Sequence, residues 1–419
     1  MGSDKSYVHC FKERESILTD IFKTNIHIKS AYNLIISLFI LFSFTRLQHY
    51  LLNYNELTED LFYMQWAFGK LHLGLTVMSY LFVCSIFQWI IVRKIHKMSI
   101  TFWITESMLI LMFTVIPVIL INRIQFSPIL SLAIYLEQIR NAMKMWSLVV
   151  ENMEIPSGSR ATFKQFCYFM FAPTLIYRPS YPRSKTRSWN KVLFLFLQFL
   201  ASIFAVFAIA RRFVVNNFSS TGIVPLKINE LPVIISTALV CGLIVKFNVM
   251  YGFLHSWLNM WAEMLQFADR HFYDAWWLSS SYGEYYRKWN AVVHVWLHTY
   301  IYNPLNKKYD NRSLAASSTM IISSLFHEYA LALGFGFFYP VLTLMYFNGV
   351  YLYFATIRFS GKTNSVMNIS IFASLIVGVA LQTMLIPMEW YSRINCRPVY
   401  KDFLLDFIVP RTPFCVRFE

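Results

Sequence analysis

Charge is scarce in this chain, and negative charge scarcest. Asp and Glu number 22 among 419 residues, and all charged side chains make up 14%, against roughly 25% in an ordinary soluble domain. So little charge excludes a conventional water-facing surface. With 57% hydrophobic and 18% aromatic residues, the chain reads as an integral membrane protein. Alternation of apolar and polar residues is also missing, which rules out a transmembrane barrel, whose strands need that period. An all-α, polytopic membrane fold remains.

Other absences narrow the function. The six cysteines, at 10, 84, 167, 241, 396 and 415, show no metal-ligand spacing. Four of them read as small buried hydrophobes; Cys396 and Cys415 bracket the last polar segment and can pair if that segment is lumenal. Without a Gly-rich phosphate loop, a nucleophile elbow or a Cys-His signature, neither a nucleotide-driven pump nor a covalent acyl-enzyme has support. No pair of interrupted helices recurs in two matching halves, which argues against a transporter. The first thirty residues are polar and of mixed charge, so no signal peptide is expected and the first apolar run directs insertion. Neither a repeat nor a long linker divides the rest. The expected organisation is a polar, partly helical, cytoplasmic segment, residues 1–29, followed by one membrane domain, residues 30–419.

Positive charge is in excess, with 37 Lys and Arg and a formal net charge of +15. It gathers in what read as short connectors: Arg93, Lys94 and Lys97; Arg178, Arg183, Lys185, Arg187 and Lys191; Arg211 and Arg212; Lys307, Lys308 and Arg312. Such clusters suit cytoplasmic loops and anionic substrates or headgroups. Nucleic acid is not indicated, since no compact basic domain or binding signature accompanies them.

Apolar runs lie at about Ser30–Leu47, His72–Val92, Phe102–Ile121, Phe126–Val150, Phe163–Ile176, Val192–Ile209, Pro232–His255, Trp289–Tyr302, Ser313–Leu333, Phe335–Ile357 and Asn368–Leu385. Several fall short of the ~20 residues that cross a bilayer, which predicts roughly eight to ten spans. The run Phe126–Val150 holds Glu137, Arg140 and Lys144, so it is expected to line a cavity or lie at the interface. Sequons stand at Asn217, Asn311 and Asn368 and become acceptors only if they reach the lumen.

The run Ser313–Leu333 carries His327 and Glu328 at membrane depth, where an ionisable side chain is expensive and therefore points to function. Helical spacing puts Ser323 and His327 on one face, and a neutral imidazole there can take a hydroxyl proton as general base. A buried structural histidine is the plainer alternative. Upstream, Asn290 opens an apolar run four residues before His294, and an Asn amide facing a cavity can stabilise an acyl-transfer oxyanion. The aromatic, basic stretch around it also fits an interfacial belt. His294 and His298 have the spacing of a metal pair but lack a third ligand, so no metal is expected.

The blocks FCYFMFAPTLIYRPSYPR (Phe166–Arg183), FADRHFYDAWW (Phe267–Trp277), SYGEYYRKWNAVVHVWL (Ser281–Leu297) and LFHEYALALGFGFFYPVL (Leu325–Leu342) resemble sterol O-acyltransferases of the membrane-bound O-acyltransferase superfamily. The likeness runs from about Ser30 to Glu419. It implies a multi-pass enzyme of the endoplasmic reticulum membrane that moves a long-chain acyl group from acyl-CoA, a co-substrate, to the 3-hydroxyl of a sterol without a cofactor. It further implies His327 as base with Asn290 as partner, and acyl-CoA contacts from Arg287, Tyr302, Arg312 and Ser323, with His294 and Trp289 beside them. Oligomers of like chains also follow from the resemblance. Cys396 and Cys415 fall where the family closes a lumenal disulfide, at a spacing one residue longer.

Against the family's FYxDWWN block, this chain reads Phe272-Tyr273-Asp274-Ala275-Trp276-Trp277-Leu278, with Ala for Asp and Leu for Asn. Val295 replaces an Asp, and Glu284 an Asn of the acyl-CoA site. Lost polar partners in a buried site predict weaker positioning or CoA affinity. The changes open two alternatives: diacylglycerol or a long-chain alcohol as acceptor, or a catalytically silent sterol or acyl-CoA binding protein.

Overall fold

The computed structural model describes residues 10–94, 100–153 and 155–416; Lys97 and the ends of the chain, residues 1–9 and 417–419, lie outside them. In chain order the helices are α1 (Ile17–Thr24), α2 (Ile26–Leu52), α3 (Tyr54–Phe68), α4 (Leu71–Lys94), α5 (Ile100–Ile124), α6 (Pro128–Met153), α7 (Phe163–Phe171), α8 (Trp189–Ile209), α9 (Asn216–Phe218), α10 (Leu231–Val249), α11 (Leu258–Met264), α12 (Tyr282–Trp289), α13 (Ala291–Leu297), α14 (Asn303–Tyr309), α15 (Arg312–Phe335), α16 (Val341–Thr356), α17 (Ser365–Asn395), α18 (Phe403–Ile408) and α19 (Thr412–Cys415). π-helical turns interrupt them at Ala210–Val215, Met250–Trp257 and His298–Tyr302. Isolated bridges are the only β pairing among the described residues.

Six helical runs have the length and hydropathy of membrane spans: Ile26–Leu52, Tyr54–Lys94, Phe102–Ile124, Trp189–Phe218, Ile228–Met264 and Ser365–Asn395. The helices α6 and α15 are 26 and 24 residues long, enough for roughly 36 Å at 1.5 Å per residue, but carry ionisable groups. Two expected runs are shorter in fact. The helix of Phe163–Ile176 ends at Phe171, and Trp289–Tyr302 is broken at Asn290, whose extended backbone separates α12 from α13.

Two apolar clusters hold the functional helices. Val77 and Leu81 of α4, Leu109 and Phe113 of α5, Ile134 and Tyr135 of α6 and Ala330 of α15 form one, so the His-bearing helix leans on the bundle core. Phe272, Tyr273, Trp276, Tyr282, Tyr285 and Ile371 form the other, burying α12 against α17. The helices α10 and α17 meet at Gly242, where an added Cβ would lie 2.9 Å from the Ala380 backbone nitrogen. Close approach of this kind is what small residues provide inside membranes. Replacing Gly242 by Val is expected to cost about 1–3 kcal/mol through forced separation, read as a lowered thermal midpoint in detergent; an unchanged midpoint would show that the two helices slide freely.

Several charges inside the bundle are satisfied by carbonyls or by counter-charges. Lys144, 1% exposed, donates to the carbonyls of Phe169, Met170 and Ala172 at 2.6, 3.0 and 2.7 Å, closing the C-terminal end of α7. Thus α6 keeps its charge internal. Arg211 and Arg212 prove not to be connector residues: they sit on a π-helical turn and pair with Glu56, Glu59 and Asp60 of α3. The stretch 10–16 is stitched to the loop after α11. Arg14 exchanges backbone bonds with Ala268 and Arg270, and its Nε donates to Asp269 at 2.6 Å.

Candidate active site

Asn311 starts α15, its Oδ1 accepting the Leu314 N–H at 2.9 Å, and leaves Arg312 exposed at the first turn. Four turns on, the His327 Nδ1 lies 2.7 Å from the Ser323 carbonyl oxygen. A carbonyl can only accept, so Nδ1 carries the proton and Nε2 keeps the free lone pair. It is the Ser323 backbone that performs this orientation, a role that side-chain spacing does not reveal. The ring is exposed, with the Tyr346 ring of α16 beside it.

Glu328 turns to the same neighbouring helix, α16. Buried at 5%, its Oε2 accepts the N–H and hydroxyl of Thr343 at 3.1 and 2.8 Å, so it caps the positive end of α16 instead of assisting its neighbour. Glu328→Ala is expected to cost about 1–3 kcal/mol through an orphaned donor, with turnover per folded molecule far less affected than in a His327 variant. Equal loss of turnover in the two would place Glu328 in the chemistry.

Opposite His327, Tyr346 of α16 packs its ring 5.4 Å away and in turn stacks on Tyr286 of α12 at 6.4 Å. Gly349 makes room, since a Cβ there would strike the Tyr286 hydroxyl. Sequence reasoning missed Tyr346 because nothing separates it from the other aromatics of its apolar run. On the second wall, Trp296 of α13 meets Phe326 edge-on at 6.5 Å and donates from Nε1 to Met143 O at 2.8 Å.

Asn290 is the hinge between α12 and α13. Its Oδ1 accepts the Val293 N–H at 3.1 Å, which leaves Nδ2 as a donor without a hydrogen bond among the described residues. Among those residues no hydrogen bond joins Asn290 to His327; they stand on walls connected through Tyr286–Tyr346 and Trp296–Phe326. His294, His298 and Tyr302 form an aromatic ladder with centroids 5.7 and 5.1 Å apart. His298 is tied to Asn303, and no three metal-ligating side chains converge among the described residues.

The remaining candidates divide between rim and frame. Arg287 is exposed, with a long 3.4 Å contact to Ser360. Glu284 is buried and accepts the N–H groups of Ser280 and Gly361 at 3.1 and 2.5 Å, tying α12 to the loop before α17. Trp289 lies 5.0 Å from Trp276. Phe272 and Tyr273 are buried, the Tyr273 hydroxyl 2.7 Å from His255 Nδ1, and Trp277 is half-buried. Two of the departures fall at positions without a buried polar partner. Leu278 is 66% exposed, so it strands no buried partner, and Val295 packs with Leu175, Ile176 and Trp296 in an apolar cluster. Cys396 and Cys415 are bonded. The three sequon side chains are engaged: Asn217 Nδ2 donates to Phe213 O, Asn311 caps α15, and Asn368 Nδ2 donates to the carbonyls of Trp277 and Ser279.

The site thus consists of a helical membrane bundle with an imidazole oriented by a backbone carbonyl on α15 and an amide donor at the α12–α13 hinge. Residues 21–388 match the membrane-bound O-acyltransferase family, and the chain belongs to that family: it is an acyltransferase. Its curated relatives include sterol O-acyltransferase 1 of Mus musculus, 33% identical over 97% of this chain and 79% of that protein. Sterol O-acyltransferase 1 of Cricetulus griseus is 33% identical over 97% and 78%. Sterol O-acyltransferase 2 of Homo sapiens is 33% identical over 70% and 57%.

Proposed function

We propose that this protein transfers a long-chain acyl group from acyl-CoA to the 3-hydroxyl of a sterol. The observation that carries the reading is the orientation of His327, with Nδ1–H held by the Ser323 carbonyl and Nε2 left without a hydrogen bond among the described residues; the acceptor class rests on the names of the relatives. Nε2 takes the hydroxyl proton as the oxygen attacks the thioester carbonyl. The Asn290 Nδ2–H meets the developing oxyanion. Collapse expels the CoA thiolate, which receives the proton from His327, so ester and CoA leave and the base is restored.

Exposed Arg287 and Arg312 are suited to the CoA phosphates, with Tyr302, His294 and Trp289 from the α12–α14 side, Ser323 from α15 and Glu284 bracing α12 as further acyl-CoA residues. The basic loop 178–191 and the disulfide lie at opposite ends of α8, as Asn395 bonds the carbonyls of Ser219 and Thr221. A cytoplasmic basic end and an oxidising, lumenal disulfide end fit the endoplasmic reticulum membrane. A homo-oligomer is expected by analogy with the family.

The test is ester formation by purified protein in nanodiscs, with labelled oleoyl-CoA and cholesterol, a plant sterol, diacylglycerol and a long-chain alcohol in parallel. Sterol ester is the expected product. Ester only from diacylglycerol or the alcohol would change the acceptor, and saturable sterol binding without any product would leave a silent binding protein.

A further inference from the structure

Halfway along the 37-residue apolar run Ile228–Met264 stands Lys246. An ammonium there is expensive, and from mid-run its stem is too short to reach either interface. Instead it enters an aromatic enclosure. Its Nζ lies 3.5 Å from the centre of the Trp289 ring and 5.3 Å from that of Tyr285, and donates to the Tyr285 hydroxyl at 2.6 Å. Among the described residues no carboxylate pairs with it. Trp276, 3% exposed, adds a further wall, edge-on to Trp289 at 5.0 Å and to Tyr285 at 6.1 Å. Its Nε1–H is buried and has no acceptor among the described residues.

The enclosure is therefore rich in donors and short of acceptors. An ammonium has three N–H bonds, of which Tyr285 takes one. The aromatic faces partly satisfy the charge, yet the spare ammonium donors and the Trp276 indole still lack the lone pairs that buried donors require. Trp289, which Lys246 touches, immediately precedes Asn290.

We propose that Lys246 and Trp276 form a subsite for a lone-pair-bearing oxygen of a lipid substrate, either an oxygen on the acceptor lipid or the carbonyl of the acyl donor. The proposal rests on the acyl-transfer reading for its substrates, though not for the existence of the subsite.

The experiment uses the full chain in nanodiscs with Lys246→Met, Lys246→Arg and Trp276→Phe, the last of which keeps an aromatic ring while removing the indole donor and reducing side-chain volume, so the thermal midpoint is measured for every variant. KM is measured for cholesterol at saturating oleoyl-CoA and for oleoyl-CoA at saturating cholesterol, alongside equilibrium binding of each labelled ligand. Loss of one such hydrogen bond is expected to raise KM and Kd about tenfold for one of the two ligands, in both Lys246→Met and Trp276→Phe, with Lys246→Arg near wild type. A rise confined to cholesterol assigns the oxygen to the acceptor, and one confined to oleoyl-CoA assigns it to the donor. Unchanged constants in both variants overturn the subsite. So does a Lys246→Met protein of lowered thermal midpoint beside a Trp276→Phe protein with unaltered constants, which would make Lys246 a structural clamp. If the wild type forms no ester while both variants weaken binding, the acyl-transfer reading fails and the subsite stands.

Discussion

His327→Ala is expected to abolish ester formation while the protein still accumulates and binds acyl-CoA. The imidazole contributes little to the fold: it bonds the Ser323 carbonyl of its own helix at 2.7 Å and has one long 3.4 Å contact with the hydroxyl of Tyr346, whose ring lies beside it. Its removal therefore spares stability, whereas the loss of a positioned general base costs about a hundredfold to ten-thousandfold in rate. Radiolabelled oleoyl transfer, normalised to folded protein by size-exclusion chromatography, reads the effect; full activity in the variant would remove His327 from the reaction. The companion is Asn290→Asp. It keeps the oxygen that caps α13 but lacks the Nδ2 donor, so kcat should fall about a hundredfold or more without a change in thermal midpoint. An equal fall in the midpoint would mean that Asn290 serves the hinge alone.

Glu389→Ala is expected to be the most damaging change to the fold. The carboxylate is fully buried, with Oε1 accepting from Arg393 Nε at 2.6 Å and Arg411 N at 2.9 Å, and Oε2 from Thr412 N and Oγ1 at 2.9 and 2.7 Å. It thereby anchors the segment bearing Cys415 to the end of α17. Arg411 adds bonds to the carbonyls of Arg393 and Cys396 and a two-pronged contact with Asp406. Deleting one partner from such a network costs about 3–5 kcal/mol, because the others are left buried and uncompensated. Thermal unfolding and non-reducing gel mobility check this; a wild-type midpoint with a complete disulfide would show that the anchor is dispensable. The network is also acid-sensitive. Hydrogen bonds from Arg411 hold the Asp406 carboxyl below its ordinary value, so its contribution is present above the unfolded carboxylate range and lost as pH falls through the lowered folded one.

The membrane bundle was legible because long apolar runs have few other uses, and His327 was singled out because a His-Glu pair in an apolar run stands out against its surroundings. What escaped were contacts between distant residues. Arg14 and Asp269 are 255 positions apart, and nothing local marks either. Tyr346 and Lys246 look like an ordinary aromatic and an ordinary basic residue until neighbouring helices bring Tyr286 and Trp289 against them. Adjacency in sequence also misled. Glu328 shares a peptide bond with His327, but its carboxylate is taken up by Thr343. Arg211 and Arg212 resembled a loop cluster because their counter-charges lie some 150 residues away on α3.

The π-helical turn His298–Tyr302 has a practical corollary for anyone editing this chain. A π turn accommodates one residue more than an α turn, and each residue of a helix advances the direction of the next by about 100°. Everything after Tyr302 is thus clocked around its axis by a single surplus residue. Deleting one position within His298–Tyr302 would let the turn relax to α geometry and swing Asn303 and the rest of α14 away from the ladder, so the spacing between the rim arginines is set by residue count as much as by residue identity.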